Sequence, residues 1–166
     1  MRMLVLALAW ASALAVAAAP VGAQSVPAPA SQNPSPMVEE TRAHERLTRR
    51  ALGGTLAAFD GPGGRAVELW IPPDAGAARL DVVVHFHGAS WLPHQAVASL
   101  ATPHVAAVVN LGAGSGAYDR AYSDAAAFDA LLRGITDAVS HALPGTRIGH
   151  VTLAGFSAGH GAIRAI

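Results

Sequence analysis

The chain has 166 residues with 11 Lys and Arg against 11 Asp and Glu, no Cys, 13% charged and 52% hydrophobic residues. That length suits one globular domain. The neutral balance removes bulk attraction to nucleic acid or an anionic surface, and the missing Cys excludes disulfides, thiolate-held zinc, a thiol nucleophile and a lipidated Cys.

The first segment, "MRMLVLALAWASALAVAAAPVGAQ", reads as a secretory signal peptide over residues 1–23. Arg2 gives the positive start, Leu4 to Ala19 the apolar core, and Val21-Gly22-Ala23 the small residues before cleavage after Ala23. The expected destination is secreted or periplasmic, with no membrane span left after cleavage. Residues 24–37, "SVPAPASQNPSPM" with the preceding Gln, form a Pro/Ser-rich linker. Residues 38–54 are predicted to hold a short polar helix. Val38, Ala43, Leu47 and Ala51 make a thin apolar stripe, and Glu45 can pair with Arg49 one turn on.

The domain proper is expected over residues 55–166. "TLAAF" and "RAVELWIP" flank the turn-rich "DGPGG", which predicts a β-hairpin; Val67, Leu69 and Ile71 alternate with Glu68 and Trp70 as a strand requires. "RLDVVVHFHG" and "HVAAVVNLG" are continuous apolar runs, the mark of strands buried on both faces, and "HQAVASLA" between them predicts a short helix. "SDAAAFDALLRGITDAVSHALPG" is a longer amphipathic helix, with Phe128, Leu131, Leu132, Ile135 and Val139 on one face. Ser123 is its expected N-cap, Asp129 and Arg133 a surface pair, and Pro144-Gly145 its stop. "GHVTLAG" is a third buried strand and "AGHGAIRAI" opens another helix. A hairpin followed by alternating strands and helices predicts an α/β fold with a mostly parallel sheet.

"GFSAG" is a G-x-S-x-G motif, with Gly155, Ser157 and Gly159. Its setting between a strand and a new helix is that of a nucleophile elbow, a sharp turn that lifts the Ser hydroxyl clear of the sheet. Side chains two positions either side would clash, so Gly155 and Gly159 supply none. The Ala158 N–H, at the start of the new helix, can donate to a developing oxyanion. The other informative stretch is "VVVHFHGASW", in which His87-Gly88 ends the first long buried strand.

In these two stretches the chain resembles the α/β-hydrolase superfamily, particularly its secreted esterases and lipases. The resemblance runs from Thr55 to Ile166: hairpin, H-G strand end, a further strand, a long helix and the elbow, in that order. It implies an acyl transfer to Ser157 followed by hydrolysis of a carboxylic ester, small or polymeric, with no metal or organic cofactor. It implies the second oxyanion donor in the loop after the H-G pair, at the N–H of Ala89, with Ser90 as the alternative. His87 and Gly88 would shape that loop.

In that family the acid and the His base follow the Ser in the chain. Only nine residues follow Ser157, and His160 sits on the same helix as the Ser. The expectation is therefore a C-terminally truncated and inactive fragment of such an enzyme. Three other readings have a basis in the residues. His85-Phe86-His87 is an H-x-H pair of the kind that metal-dependent hydrolases use, although "GASWLP" continues no further ligand pattern. "NLGAGSGA" matches G-x-G-x-x-A, but the next helix is expected only near Ser123, too late for a dinucleotide site. A non-catalytic α/β binding module could keep the elbow without the chemistry. Tyr118 and Tyr122 are expected to line the site's rim, and Trp91 and Leu92 to touch substrate or pack beneath the loop.

Overall fold

In the computed structural model the described residues are 48–73 and 79–166. The expected signal peptide, linker and first part of the polar helix, residues 1–47, lie outside them. Residues 48–54 carry no helical turn. Their backbone groups are taken by other elements instead: the Gln95 side-chain amide donates to the Thr48 carbonyl at 3.1 Å, and the Trp70 indole N–H to the Gly53 carbonyl at 2.8 Å. A segment whose carbonyls face outward partners does not wind on itself.

The hairpin forms as its turn chemistry requires. Strands β1 (Thr55–Asp60) and β2 (Ala66–Ile71) pair antiparallel, with Thr55 opposite Ile71 and Asp60 opposite Ala66. One 3-10 turn, Pro62–Gly64, joins them, with Gly63 and Gly64 both at positive φ. β3 (Arg79–Phe86), β4 (His104–Val109) and β5 (Arg147–Gly155) complete a five-stranded sheet in the order β1-β2-β4-β3-β5.

β3 runs parallel to both β4 and β5, whereas β2 is antiparallel to β4. The sheet is therefore mixed, and the expectation of a mostly parallel sheet is corrected. Once the hairpin docks through β2, half of the pairings are antiparallel. This docking also carries the hairpin turn to the end of the sheet where β3, β4 and β5 finish.

Helices cover both faces. On one face Val82, Val84 and Phe86 of β3 meet Val105, Ala107 and Val109 of β4 and Val67, Leu69 and Ile71 of β2 in the main core. The predicted long helix is α3 (Ala125–Ala142), which seals this core with Leu131, Ile135 and Val139. Its N-cap is Asp124, not Ser123: the Asp124 carboxylate accepts the Ala126 N–H at 2.9 Å. Asp129 and Arg133 form no ion pair among the described residues. On the opposite face α1 (Trp91–Ala98) packs Val97 against Trp70 and Ala106. It starts three residues earlier than the periodicity predicts.

Two features depart further from expectation. A helix not predicted from sequence, α2 (Ser115–Ala121), follows β4 and packs on α4 (His160–Ala165). β5, expected to be fully buried, is only half-buried, and among the described residues it pairs with β3 alone. No helix among the described residues is long and apolar enough to cross a membrane.

Candidate active site

β3 and β5 end side by side, with Phe86 opposite Gly155. The Phe156 N–H donates to the Phe86 carbonyl at 3.0 Å, which carries the pairing one residue past the strand. The chain then turns sharply. Ser157 has φ +47, in the left-handed region that costs a residue with a Cβ about 1–3 kcal/mol. A 3-10 turn (Ser157–Gly159) follows, closed by the Gly159 N–H on the Phe156 carbonyl at 2.8 Å, and runs into α4.

Of the two motif glycines, Gly159 stands where contact forbids a side chain, and Gly155 where one would be crowded. A Cβ on Gly159 would stand 2.0 Å from the Phe86 carbonyl oxygen, and one on Gly155 3.2 Å from the Gly159 backbone carbon. Gly159 thus lets the turn press onto the end of β3. The helix that follows is only six residues long, so a macrodipole argument has little to act on. What the turn offers instead is an individual N–H: that of Ala158 donates to no protein acceptor among the described residues.

The His87-Gly88 turn leaves the end of β3 in a similarly unusual backbone, with His87 at φ +70 and Gly88 at φ +137. Here the conformation is held by hydrogen bonds. The His87 N–H donates to the Val109 carbonyl at 3.0 Å. The Asn110 side chain pairs with both backbone groups of Gly88, accepting its N–H and donating to its carbonyl, each at 3.0 Å.

The His87 ring is buried, with Nδ1 3.0 Å from the Tyr118 hydroxyl. That hydroxyl oxygen also accepts the Leu111 N–H at 3.1 Å, so one phenol ties the His87 ring to the segment after β4. His85 donates through Nε2 to the His87 carbonyl at 3.1 Å. Burial pushes both histidines below the usual imidazole range, so both are neutral near pH 7. The His87 ring stacks on Phe156, centroids 6.4 Å apart, and so joins the turn to the elbow. The Ala89 N–H, like that of Ala158, donates to no protein acceptor among the described residues.

Cavities flank this turn on two sides. One of about 630 Å³ is polar, lined by Arg65, Glu68, Ala89, Ser90, Trp91 and Asn110. The Ser90 hydroxyl donates to Glu68 at 2.7 Å, while its N–H, the alternative oxyanion donor, donates to no protein acceptor among the described residues. The other, about 460 Å³, is apolar, with Val83, His85, Leu92, Val97, Ala154 and Phe156 among its walls. Trp91 and Leu92 therefore face different cavities.

Tyr118 and Tyr122 do not line a rim. Both are buried, Tyr122 edge-on against Phe86, and burial raises the pKa of each phenol. α2, which sequence periodicity does not reveal, turns both inward. Sequence reasoning missed Asn110, for which an Asn directly after a buried strand and before a Gly-rich loop was the available hint, and it gave Tyr118 a place on the rim instead of its tie to His87.

The structure brings Ser157, Gly155, Gly159 and Ala158 together with the turn bearing His87, Gly88 and Ala89. It brings no base to them among the described residues. His160 Nδ1 faces the Ser157 backbone carbonyl at 3.0 Å rather than its hydroxyl. His85 and His87 are engaged with a carbonyl and a phenol, and among the described residues no third His, Asp or Glu joins them in a group able to hold a metal.

α2 does open inside the G-x-G-x-x-A stretch, earlier than expected. However, the Leu111 N–H turns to Tyr118 rather than outward to a phosphate, and β5 ends in Gly155 with no acidic residue. Comparison with protein-family models, with curated proteins and with solved structures finds no match to this chain.

Proposed function

We propose that this protein is an exported serine hydrolase of carboxylic esters, of α/β-hydrolase type, with Ser157 as nucleophile. The observation that carries the reading is the left-handed Ser157 in a glycine-walled strand-to-helix turn, set beside the His87-Gly88 turn of the neighbouring parallel strand. A strained serine persists when the surrounding structure over-determines it, and such strain clusters at reactive sites.

In the proposed reaction the Ser157 hydroxyl oxygen attacks the ester carbonyl carbon as a base takes its proton. The carbonyl oxygen gathers negative charge, and the N–H groups of Ala158 and Ala89 are the donors available to it. The C–O bond to the alcohol then breaks, the alcohol leaves with a proton, and water releases the acid from the acyl-serine. The described residues supply the nucleophile and the two donors; the base and its supporting acid are not among the described residues.

The test is incubation of the chain with a fluorophosphonate probe and mapping of the adduct by mass spectrometry. The expected result is a slow adduct on Ser157 that Ser157→Ala abolishes and that a chelator does not affect. Labelling undiminished in Ser157→Ala removes the assignment. Chelator-sensitive ester hydrolysis that survives the substitution would point instead to the His85 and His87 pair.

A further inference from the structure

The parallel ladder between β3 and β4 reaches Phe86 opposite Val109, and one more backbone bond, from the His87 N–H to the Val109 carbonyl, extends it. Gly88 lies beyond the reach of that ladder. It is also free to turn: a Cβ there would meet nothing nearer than His85 Nε2 at 3.7 Å, and its φ of +137 belongs to the range open chiefly to glycine. Something must therefore specify which way the peptide after Gly88 faces.

Asn110 does so. Its amide matches Gly88 as another backbone unit would, Oδ1 on the N–H and Nδ2 on the carbonyl, each at 3.0 Å. These partners also fix which end of the amide is oxygen. The bond to the carbonyl matters most. The Gly88 carbonyl and the Ala89 N–H belong to one peptide unit, which is planar and trans, so they point in opposite directions. Holding the carbonyl toward Asn110 aims the Ala89 N–H away from it. Donation to that carbonyl also polarises the unit and strengthens its N–H as a donor.

We infer that Asn110 is a positioning residue that aims the Ala89 N–H as an oxyanion donor, reaching the reaction through Gly88 without touching substrate. This inference rests on the serine-hydrolase reading above. It separates Asn110 from the other polar groups near the turn: Tyr118 holds the His87 ring, and Ser90 holds Glu68.

The decisive variant is Asn110→Asp in the chain. It keeps shape and an acceptor for the Gly88 N–H, but sets a carboxylate oxygen against the Gly88 carbonyl. Repulsion should turn that peptide. Two readouts are expected to change together: the Ala89 amide resonance moves, and fluorophosphonate labelling of Ser157 slows at least about tenfold, given that loss of a whole oxyanion donor costs about 10²–10³ in rate. Cooperative unfolding and the near-ultraviolet dichroism stay those of a folded chain, which a merely structural role would not leave intact beside slower labelling.

Wild-type labelling in folded Asn110→Asp overturns the inference. If that variant does not fold, Asn110→Ala, which removes both bonds without adding charge, decides on the same two readouts. If the wild-type chain gives no Ser157 adduct, the hydrolase reading fails on its own, and an Ala89 resonance unmoved by the substitution is then what overturns the positioning role.

Discussion

Two neighbouring turns solve the same problem by different means. Each leaves the end of a parallel strand, and each puts a residue with a side chain into the left-handed region, His87 at φ +70 and Ser157 at φ +47. The His87 turn is tied by hydrogen bonds with Val109, Asn110 and Tyr118. The Ser157 turn is pressed into shape by close approach, with Gly159 against the Phe86 carbonyl and only short backbone bonds of its own. The first should be vulnerable to the loss of a polar atom, the second to the gain of a carbon.

The largest effect is expected from Gly159→Ala. The added Cβ would lie 2.0 Å from the backbone oxygen of Phe86, in a strand paired on both sides, where no flexible side chain can yield. The expected loss is about 3 kcal/mol, read as a lower midpoint in urea. A loss under about 0.5 kcal/mol would show that the elbow is not held by contact.

Gly88→Val probes the other turn. Space is available around that position, so the cost comes from its φ of +137 and is expected to be about 1–3 kcal/mol. Labelling at Ser157 should fall in the folded variant. An unchanged labelling rate would separate this turn from the site.

Tyr118→Phe removes one oxygen from the tied turn and leaves the Leu111 N–H and His87 Nδ1 without their partner. Such buried orphans cost about 1–3 kcal/mol, measurable in the same urea titration. A neutral result would mean that His87 needs no tie.

Acid should loosen the tied turn as well. Burial holds His85, His87 and His94 below the ordinary imidazole value of 6.5. The unfolded chain therefore binds more protons than the folded one as the pH falls beneath about 6.5, and stability drops there. Above that value these groups are neutral in both states and contribute no slope. Urea midpoints measured from pH 8 to pH 5 should be flat, then fall. Midpoints that rise on acidification would contradict the burial of these rings.

The smallest effect has the opposite sign. Ser157→Gly relieves a left-handed Ser, and after the greater chain freedom of glycine is set against it, a gain of about 0.5–1 kcal/mol is expected. The same substitution ends labelling. A destabilised Ser157→Gly would mean that the hydroxyl holds the turn rather than serving it.

How far sequence reading reached can be traced through particular residues. β3 and β4 were legible because strands covered on both faces must be apolar along their length, and "LDVVVHF" and "HVAAVV" are nearly so, whereas β2 showed itself by the alternation of Val67, Leu69 and Ile71 with Glu68 and Trp70. α2 was not legible: "SGAYDRA" has two poor helix formers near its start and offers one fully buried residue, Tyr118. It is helical because α4 lies against it so closely that a Cβ on Gly161 would meet the Ser115 carbonyl at 2.2 Å. The elbow was visible because its glycines and serine stand together in five residues. The ties of Asn110 to Gly88 and of Tyr118 to His87 were not, since these partners stand 22 and 31 positions apart.

By itself the sequence determined where apolar runs and turn residues fall, and hence the hairpin, the strands, the long helix and the G-x-S-x-G turn between a strand and a helix. These are local matters of side-chain period and backbone freedom. Only the tertiary structure decided that the sheet is mixed, that β3 and β5 finish together, and that Asn110 reaches Gly88. Those outcomes depend on which strands pair and in what register, and a register brings together residues that no local pattern connects.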